Sequence, residues 1–353
     1  MRTNRRDFLK HGGGAACAGL AVQLLAACAP TPTPSLLTAP ATTAAPAVAK
    51  SLNIVTCGFA SLNPSNLVSI VGSEKPDLPG AFGIAFDLVT TTNSPNALAA
   101  LIGGSLDVAI VTPDAAWAAQ DKAPDIKQLF AVGDGTAFAL IAQLAIQKAS
   151  DLKGMTLGAS ALRGGADTSA LRLLLFENGL RDGDYTIVEA GTVSNRTAAM
   201  KARAIQAVVQ QEPQATLLRD AGFAQIDNAN NYPSLKNVHF VVLVAKRSWY
   251  EGKPDVAANL VRAWEATTRW IYDPANKDEV VAVIKKTMDV SDIPAQNTYK
   301  VHIGQAVVSQ DLHIKETFMQ QFIDNQKKVG GENQPSEPMK YVDPSLLERA
   351  LGA

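Results

Sequence analysis

Leu98-Ala99-Ala100-Leu101-Ile102-Gly103-Gly104-Ser105-Leu106-Asp107-Val108-Ala109 has a counterpart later in the chain, Thr197-Ala198-Ala199-Met200-Lys201-Ala202-Arg203-Ala204-Ile205-Gln206-Ala207-Val208. Each stretch reads as the end of a helix, a tight turn and a buried strand, and each then reaches a proline, Pro113 or Pro213. A weak internal repeat of this kind points to two similar α/β units rather than one long sheet.

Working outward, the same alternation continues on both sides. Short apolar runs at 52–56, 84–89, 107–111, 128–132, 154–158, 185–189 and 205–209 read as strands, with helical periodicity between them. Strand–helix alternation means parallel or mixed sheets with helices on their faces. Two longer apolar runs, 138–146 and 238–244, are the expected crossings between units. They divide the chain into a first lobe of residues 51–142 and 243–353 and a second of residues 143–242. Beyond 244 the chain is mostly helical. Pro254 to Tyr272 carries Val256, Leu260, Val261, Trp264 and Ile271 on one side, a stripe that reads as core.

The N-terminal segment has a different character. Asn4-Arg5-Arg6-Asp7-Phe8-Leu9-Lys10 resembles a twin-arginine export signal, and Leu25-Ala26-Ala27-Cys28 resembles a lipobox. Gly12 to Leu25, between them, is small, apolar and uncharged, too short and Gly/Ala-rich for a membrane span. Residues 1–27 are thus expected to be removed as a signal peptide and Cys28 to carry lipid. Residues 28–50, rich in Pro, Thr and Ala, read as a semi-extended tether holding the domain off the membrane. The protein would then sit lipid-anchored at the outer face of the cytoplasmic membrane or in the periplasm.

Losing residues 1–27 removes four basic residues and one acid, leaving 28 basic and 32 acidic side chains and a net charge of −4. With no Lys/Arg block, a nucleic-acid partner has no electrostatic support. Cys57 would be the only free thiol beside a lipidated Cys28, so the fold needs no disulfide. Cys57 is expected to be a small buried residue. The histidines, His11, His239, His302 and His313, lie neither near Cys57 nor at metal spacing. GxSxG and HExxH motifs are absent. The expectation is a protein that is not an enzyme, has no cofactor and works as a monomer.

In open α/β sheets, ligands bind at the carboxyl ends of strands. Phe59 and Ser61 follow the first strand, and Thr91, Thr92 and Asn93 follow the second, ahead of a helix expected to be capped by Ser94. Thr112 closes the third. In the second half, Arg163, Gly164, Gly165, Thr168 and Ser169 lie in a strand-to-helix loop whose glycines would let backbone approach a ligand. Arg196 falls in the first turn of a helix expected to be capped by Ser194, where the dipole disfavours a cation; a role in a cleft would explain it, and a surface salt bridge is the commoner reason for a lone Arg. Glu212 closes the matching strand of the second half, placed to meet a ligand amine or the opposite lobe.

Gly104-Ser105-Leu106-Asp107-Val108-Ala109, Ser150-Asp151-Leu152-Lys153-Gly154, Gly179-Leu180, Glu212-Pro213 and Lys253-Pro254, in this order and spacing, carry a resemblance. From about residue 52 to 290 the chain resembles the nitrate/sulfonate/taurine-type substrate-binding proteins of ABC transporters, which include binders of pyrimidine thiamine precursors. The resemblance implies a two-lobed periplasmic-binding fold of type II with the ligand cleft between lobes. It also implies a small-molecule ligand, hinge closure, and delivery to an ABC permease and its ATPase. The chain departs from the family where Arg203-Ala204-Ile205-Gln206-Ala207 replaces a usual Gly-x-hydrophobic-Asp-Ala. Its first loop also lacks a basic residue to face an inorganic anion such as nitrate. A small organic anion with a sulfonate or carboxylate head is the leading reading, and a heterocycle such as a pyrimidine or flavin stacked on Phe59 the second. A ligand sensor shares the fold. An enzyme of the pyrimidine-synthase type would need a His- and Cys-rich metal site that these residues do not supply.

Overall fold

The computed structural model describes residues 52–163, 165–331 and 334–352. The twin-arginine run, Cys28, the tether and Gly164 lie outside the described residues. Among the described residues no helix is long and apolar enough to cross a membrane.

Among the described residues ten strands form two five-stranded mixed sheets of the same topology. The first has the order β2-β1-β3-β10-β4, built from β1 (Asn53–Phe59), β2 (Ile84–Thr90), β3 (Val108–Val111), β4 (Ile126–Gly135) and β10 (Lys236–Lys246). The second has the order β7-β6-β8-β5-β9, built from β5 (Ala139–Ala142), β6 (Thr156–Ala159), β7 (Thr186–Glu189), β8 (Ala207–Gln210) and β9 (Ala224–Asn228). In each, three strands run parallel, and a fourth, arriving from across the molecule, pairs antiparallel with the third strand and the fifth. The central strands β3, β5 and β8 are buried along their whole length, which is why they read as unbroken apolar runs.

The repeat seen in the sequence is a repeat in space. In the first unit Gly104 takes φ +81°, its N–H donates to Leu101 O, and Ser105 N–H donates to Ala100 O. In the second, Arg203 takes φ +59°, its N–H donates to Met200 O, and Ala204 N–H donates to Ala199 O. Leu106 and Ile205 then pack against the bare backbone of Gly58 and Gly158. A β-carbon there would lie 2.1 Å from Leu106 Cδ1 and 2.4 Å from Ile205 Cδ1.

The crossings fall somewhat earlier than the apolar runs suggested. The chain leaves the first sheet after Gly135 and enters the second at Ala139, so Ala139–Ala142 belongs with the second lobe. It returns after Asn228, and β10 pairs with β4 from Lys236 onward. Of the run 138–146 only Ala139–Ala142 is strand, and Leu144 is 65% exposed. The edge strand β9 escaped the sequence reading because Ala-Gln-Ile-Asp-Asn carries only one large apolar residue.

The first core is built around Trp264 of the helix Pro254–Tyr272, whose ring meets Phe86 and Phe130 edge-on at 5.8 and 5.3 Å. The second gathers Leu157, Leu171, Leu174 and Val209 with Phe240. Met319, Phe322 and Ile323 of the helix Glu316–Lys328 enter this second core, although that helix falls in the chain segment assigned to the first lobe.

The paired turns differ in one testable respect. A β-carbon in the left-handed region costs about 1–2 kcal/mol. Gly104→Ala is expected to lower stability by about that amount, while Arg203→Gly raises it by up to about 1 kcal/mol after the entropic cost of glycine. Urea denaturation reads both. The same sign for the two would mean that the turns are not equivalent.

Candidate functional site

Four helices point their first turns into the space between the sheets: Leu67–Glu74, Ser94–Ile102, Ala166–Glu177 and Val193–Lys201. Asn66, Asn93, Ala166, Asp167, Thr192 and Val193, at or beside their starts, line one small cavity of about 70 Å³. Ile110, Val241 and Phe138 supply apolar wall, and Gln210 and Gln211 come from the end of β8. Helix starts carry unpaired N–H groups and partial positive charge, so four of them favour an anion here. Ligand pockets for drug-sized molecules run from about 300 Å³. This cavity holds only a small head group or molecule while the lobes meet.

Arg196 is the charged centre of the cavity and is 4% exposed. Its Nη1 donates to Gly191 O at 2.6 Å and lies 3.4 Å from Asp167 Oδ2, while its Nε has no hydrogen-bond partner. Asp167 accepts from Ser160 N at 2.7 Å and also from the Ser160 hydroxyl. Removing one member of such a buried pair costs about 3–5 kcal/mol, because the other charge is left without compensation. The pair fixes the guanidinium.

Of the residues expected from the sequence to meet a ligand, Ser61, Thr92, Asn93, Gly165, Arg196 and Glu212 line the cavity. Asn93, not Ser94, caps its helix, its Oδ1 accepting from Asn96 N at 3.0 Å, and Ser94 Oγ instead accepts from Thr112 N. Thr192, not Ser194, caps the helix of Arg196, accepting from Asn195 N at 3.3 Å. Glu212 is engaged within its own lobe, where its Oε2 accepts from Thr216 N and Oγ1 and its Oε1 takes the Arg219 guanidinium at 2.7 Å.

The other candidates among the described residues do not line the cavity. Phe59 lies on the same face of β1 as Val55 and Cys57, and strand alternation carries all three into the first core. Phe138, at the first crossing, is the aromatic that borders the cavity instead. The Thr91 hydroxyl donates to backbone carbonyls, Thr168 Oγ1 donates to Ala161 O at 2.6 Å, and Ser169 Oγ accepts from Gln326 Nε2. Thr112 is fully buried and Arg163 is exposed. Sequence reasoning missed Asp167, Ser160, Asn63, Asn66, Gln210 and Gln211. Asp167 had a readable signal, an acid in the first turn of a helix that follows paired glycines. Cys57 is fully buried, and burial pushes its thiol up to about 12. Among the described residues no group of three His, Cys, Asp or Glu side chains could hold a metal ion.

Several solved structures share the fold. The alkanesulfonate-binding protein SsuA from Xanthomonas axonopodis pv. citri, bound to MOPS, is 16% identical and superposes with a TM-score of 0.68 over 83% of this chain and 99% of its own. The periplasmic nitrate-binding protein NrtA from Synechocystis PCC 6803 is 15% identical, with a TM-score of 0.71 over 85% of this chain and 89% of its own. The ligand-binding component of an ABC-type import system from Staphylococcus aureus, with zinc bound, is 17% identical, with a TM-score of 0.69 over 85% and 99%. No curated protein matches the chain in sequence. The architecture is therefore the two-lobed periplasmic-binding fold, and residues 49–285 match the model of the NMT1-like family, to which this chain belongs.

Proposed function

We propose that the chain is an extracytoplasmic substrate-binding lipoprotein of an ABC importer. It is exported by the twin-arginine route, held to the membrane through lipid on Cys28, and acts as a monomer. It captures a small organic anion with a sulfonate or carboxylate head and hands it to the permease and its ATPase. The observation that carries this reading is the buried Arg196 guanidinium, with its Nε unpartnered, among four helix starts. Asp167 occupies one side of the guanidinium and leaves the other for the ligand's oxygens. Ile110, Val241 and Phe138 suit a short apolar body. The names of the fold neighbours support capture without chemistry. So does the burial of Cys57, which is no available nucleophile. The heterocycle reading loses its main support with Phe59 in the core.

Binding at micromolar affinity corresponds to about 8 kcal/mol, and ligand at 100 times its dissociation constant adds about 2.7 kcal/mol of stability. A thermal-shift screen with methanesulfonate, other short sulfonates, carboxylates, nitrate and pyrimidines is expected to show a rise of several degrees for the sulfonates or the carboxylates. A shift with pyrimidines alone would replace the anion reading. In calorimetry with the responding ligand, Arg196→Lys is expected to lose at least about tenfold in affinity while keeping a cation opposite Asp167, because an ammonium cannot reproduce the guanidinium fork. Thr92→Ala should also weaken binding. Thr168→Ala should instead cost about 1 kcal/mol of stability with affinity unchanged, since its hydroxyl is committed to Ala161 O.

Cys28→Ala is expected to move the protein from the membrane to the soluble extracytoplasmic fraction on cell fractionation. A variant that stays membrane-bound would refute the lipid anchor.

A further inference from the structure

Three side-chain contacts join the lobes beside the cavity, and two of them use the helix Asp292–His302 of the first lobe. Asn297 Nδ2 donates to Thr216 Oγ1 at 3.1 Å. His302, at the end of the helix, is fully buried, and its Nε2 lies 3.3 Å from Gln211 Oε1. Gln211 belongs to the second lobe and lines the cavity, and both ends of its amide lie within 3.1 Å of Ser65 Oγ in the first lobe. The helix lies beyond residues 49–285, the segment that matches the family model.

Both ring nitrogens of His302 face oxygen, since Nδ1 lies 3.2 Å from Thr298 O one turn back. A neutral imidazole has one N–H and cannot serve two acceptors. Protonation would supply the second hydrogen, but nothing around the ring compensates a charge. Thr298 and Gln211 are neutral, and among the described residues the ring makes no ion pair. Lys300 on the same helix is exposed, and Glu212, beside Gln211, is held by Arg219 and Thr216. Burial pushes up the phenols of Tyr299, on the same helix, and of Tyr272, which donates to Val308 O, so both stay neutral. The contact closes if Nδ1–H goes to Thr298 O and the Gln211 amide turns. Its Nε2 then donates to the ring, and its carbonyl receives the Ser65 hydroxyl.

We propose that neutral His302 is a positioning residue that orients Gln211 so that Gln211 ties the two lobes together over the cavity. The proposal rests on the two-lobed capture reading above. Burial holds the imidazole down, at about 4 against an ordinary 6.5. Opening takes Gln211 away from the ring and frees it to titrate normally. The depressed value belongs to the closed form, so closure is at full strength above pH 6.5. It weakens about tenfold for each unit below that, until the closed-form value is reached.

Amide hydrogen exchange on the full chain without ligand, corrected for intrinsic rates, reads the opening of residues 211–216 and 292–302. In the wild type, opening should rise about tenfold on going from pH 7.5 to 5.5, one unit below the free imidazole value. His302→Gln should abolish that dependence. Gln211→Glu sets a carboxylate against the ring and should make closure stronger at pH 5.5. A wild-type equilibrium that ignores pH overturns the proposal, and so does a Gln211→Glu variant that opens on acidification as the wild type does. A chain that binds no sulfonate or carboxylate yet shows these responses defeats the transport reading and leaves the role of His302 standing.

Discussion

Thr56 gives its backbone N–H to Asp107 Oδ2 and takes the Asp107 N–H on its own carbonyl, both at 3.0 Å. In the other lobe Thr156 gives its N–H to Gln206 Oε1 at 3.3 Å and takes the Gln206 N–H at 2.8 Å. These clasps hold β3 against β1 and β8 against β6 at matching points. Strand register has a period of two, so a slip of one residue would turn every side chain to the other face. With the register held, both lobes end their central strands toward the same space, and the following helices start there. The cavity, its helix starts and the placing of Arg196 all follow from that.

Gln206 does the work of Asp107 because the clasp needs an acceptor of the right reach and not a charge. This explains why the repeat was visible as a pattern of turn, apolar residue and acceptor while residue identity was low. The long apolar strands, the helix Pro254–Tyr272 and the two-lobe plan were legible for a related reason: burial demands apolar residues at fixed spacing. Arg196 stood out because a cation in the first turn of a helix is locally unfavourable, and the structure pairs it with Asp167.

The rest of the site was not legible. Whether Phe59 faces core or cleft depends on the parity of β1, and single-sequence strand ends are uncertain by about 2–4 residues. Two helices also start earlier than expected, which puts their caps on Asn93 and Thr192. Ser65, Gln211, Asn297 and His302 come from three distant segments, and no local pattern marks residues that meet only in the folded chain.

The chemistry between the lobes differs from that within them. Each lobe is closed by aromatic and aliphatic packing, of which a single large buried side chain is worth about 3–5 kcal/mol against alanine. The side chains that bridge the lobes beside the cavity are neutral hydroxyls, amides and one imidazole, each contact worth about 0.5–1.5 kcal/mol net. Water can replace such bonds when the lobes part, so opening costs far less than unfolding either core. A ligand that binds with about 8 kcal/mol at micromolar affinity has ample free energy to shift that balance. The polar contacts beside the cavity therefore give way more easily than either core, as the proposed capture requires.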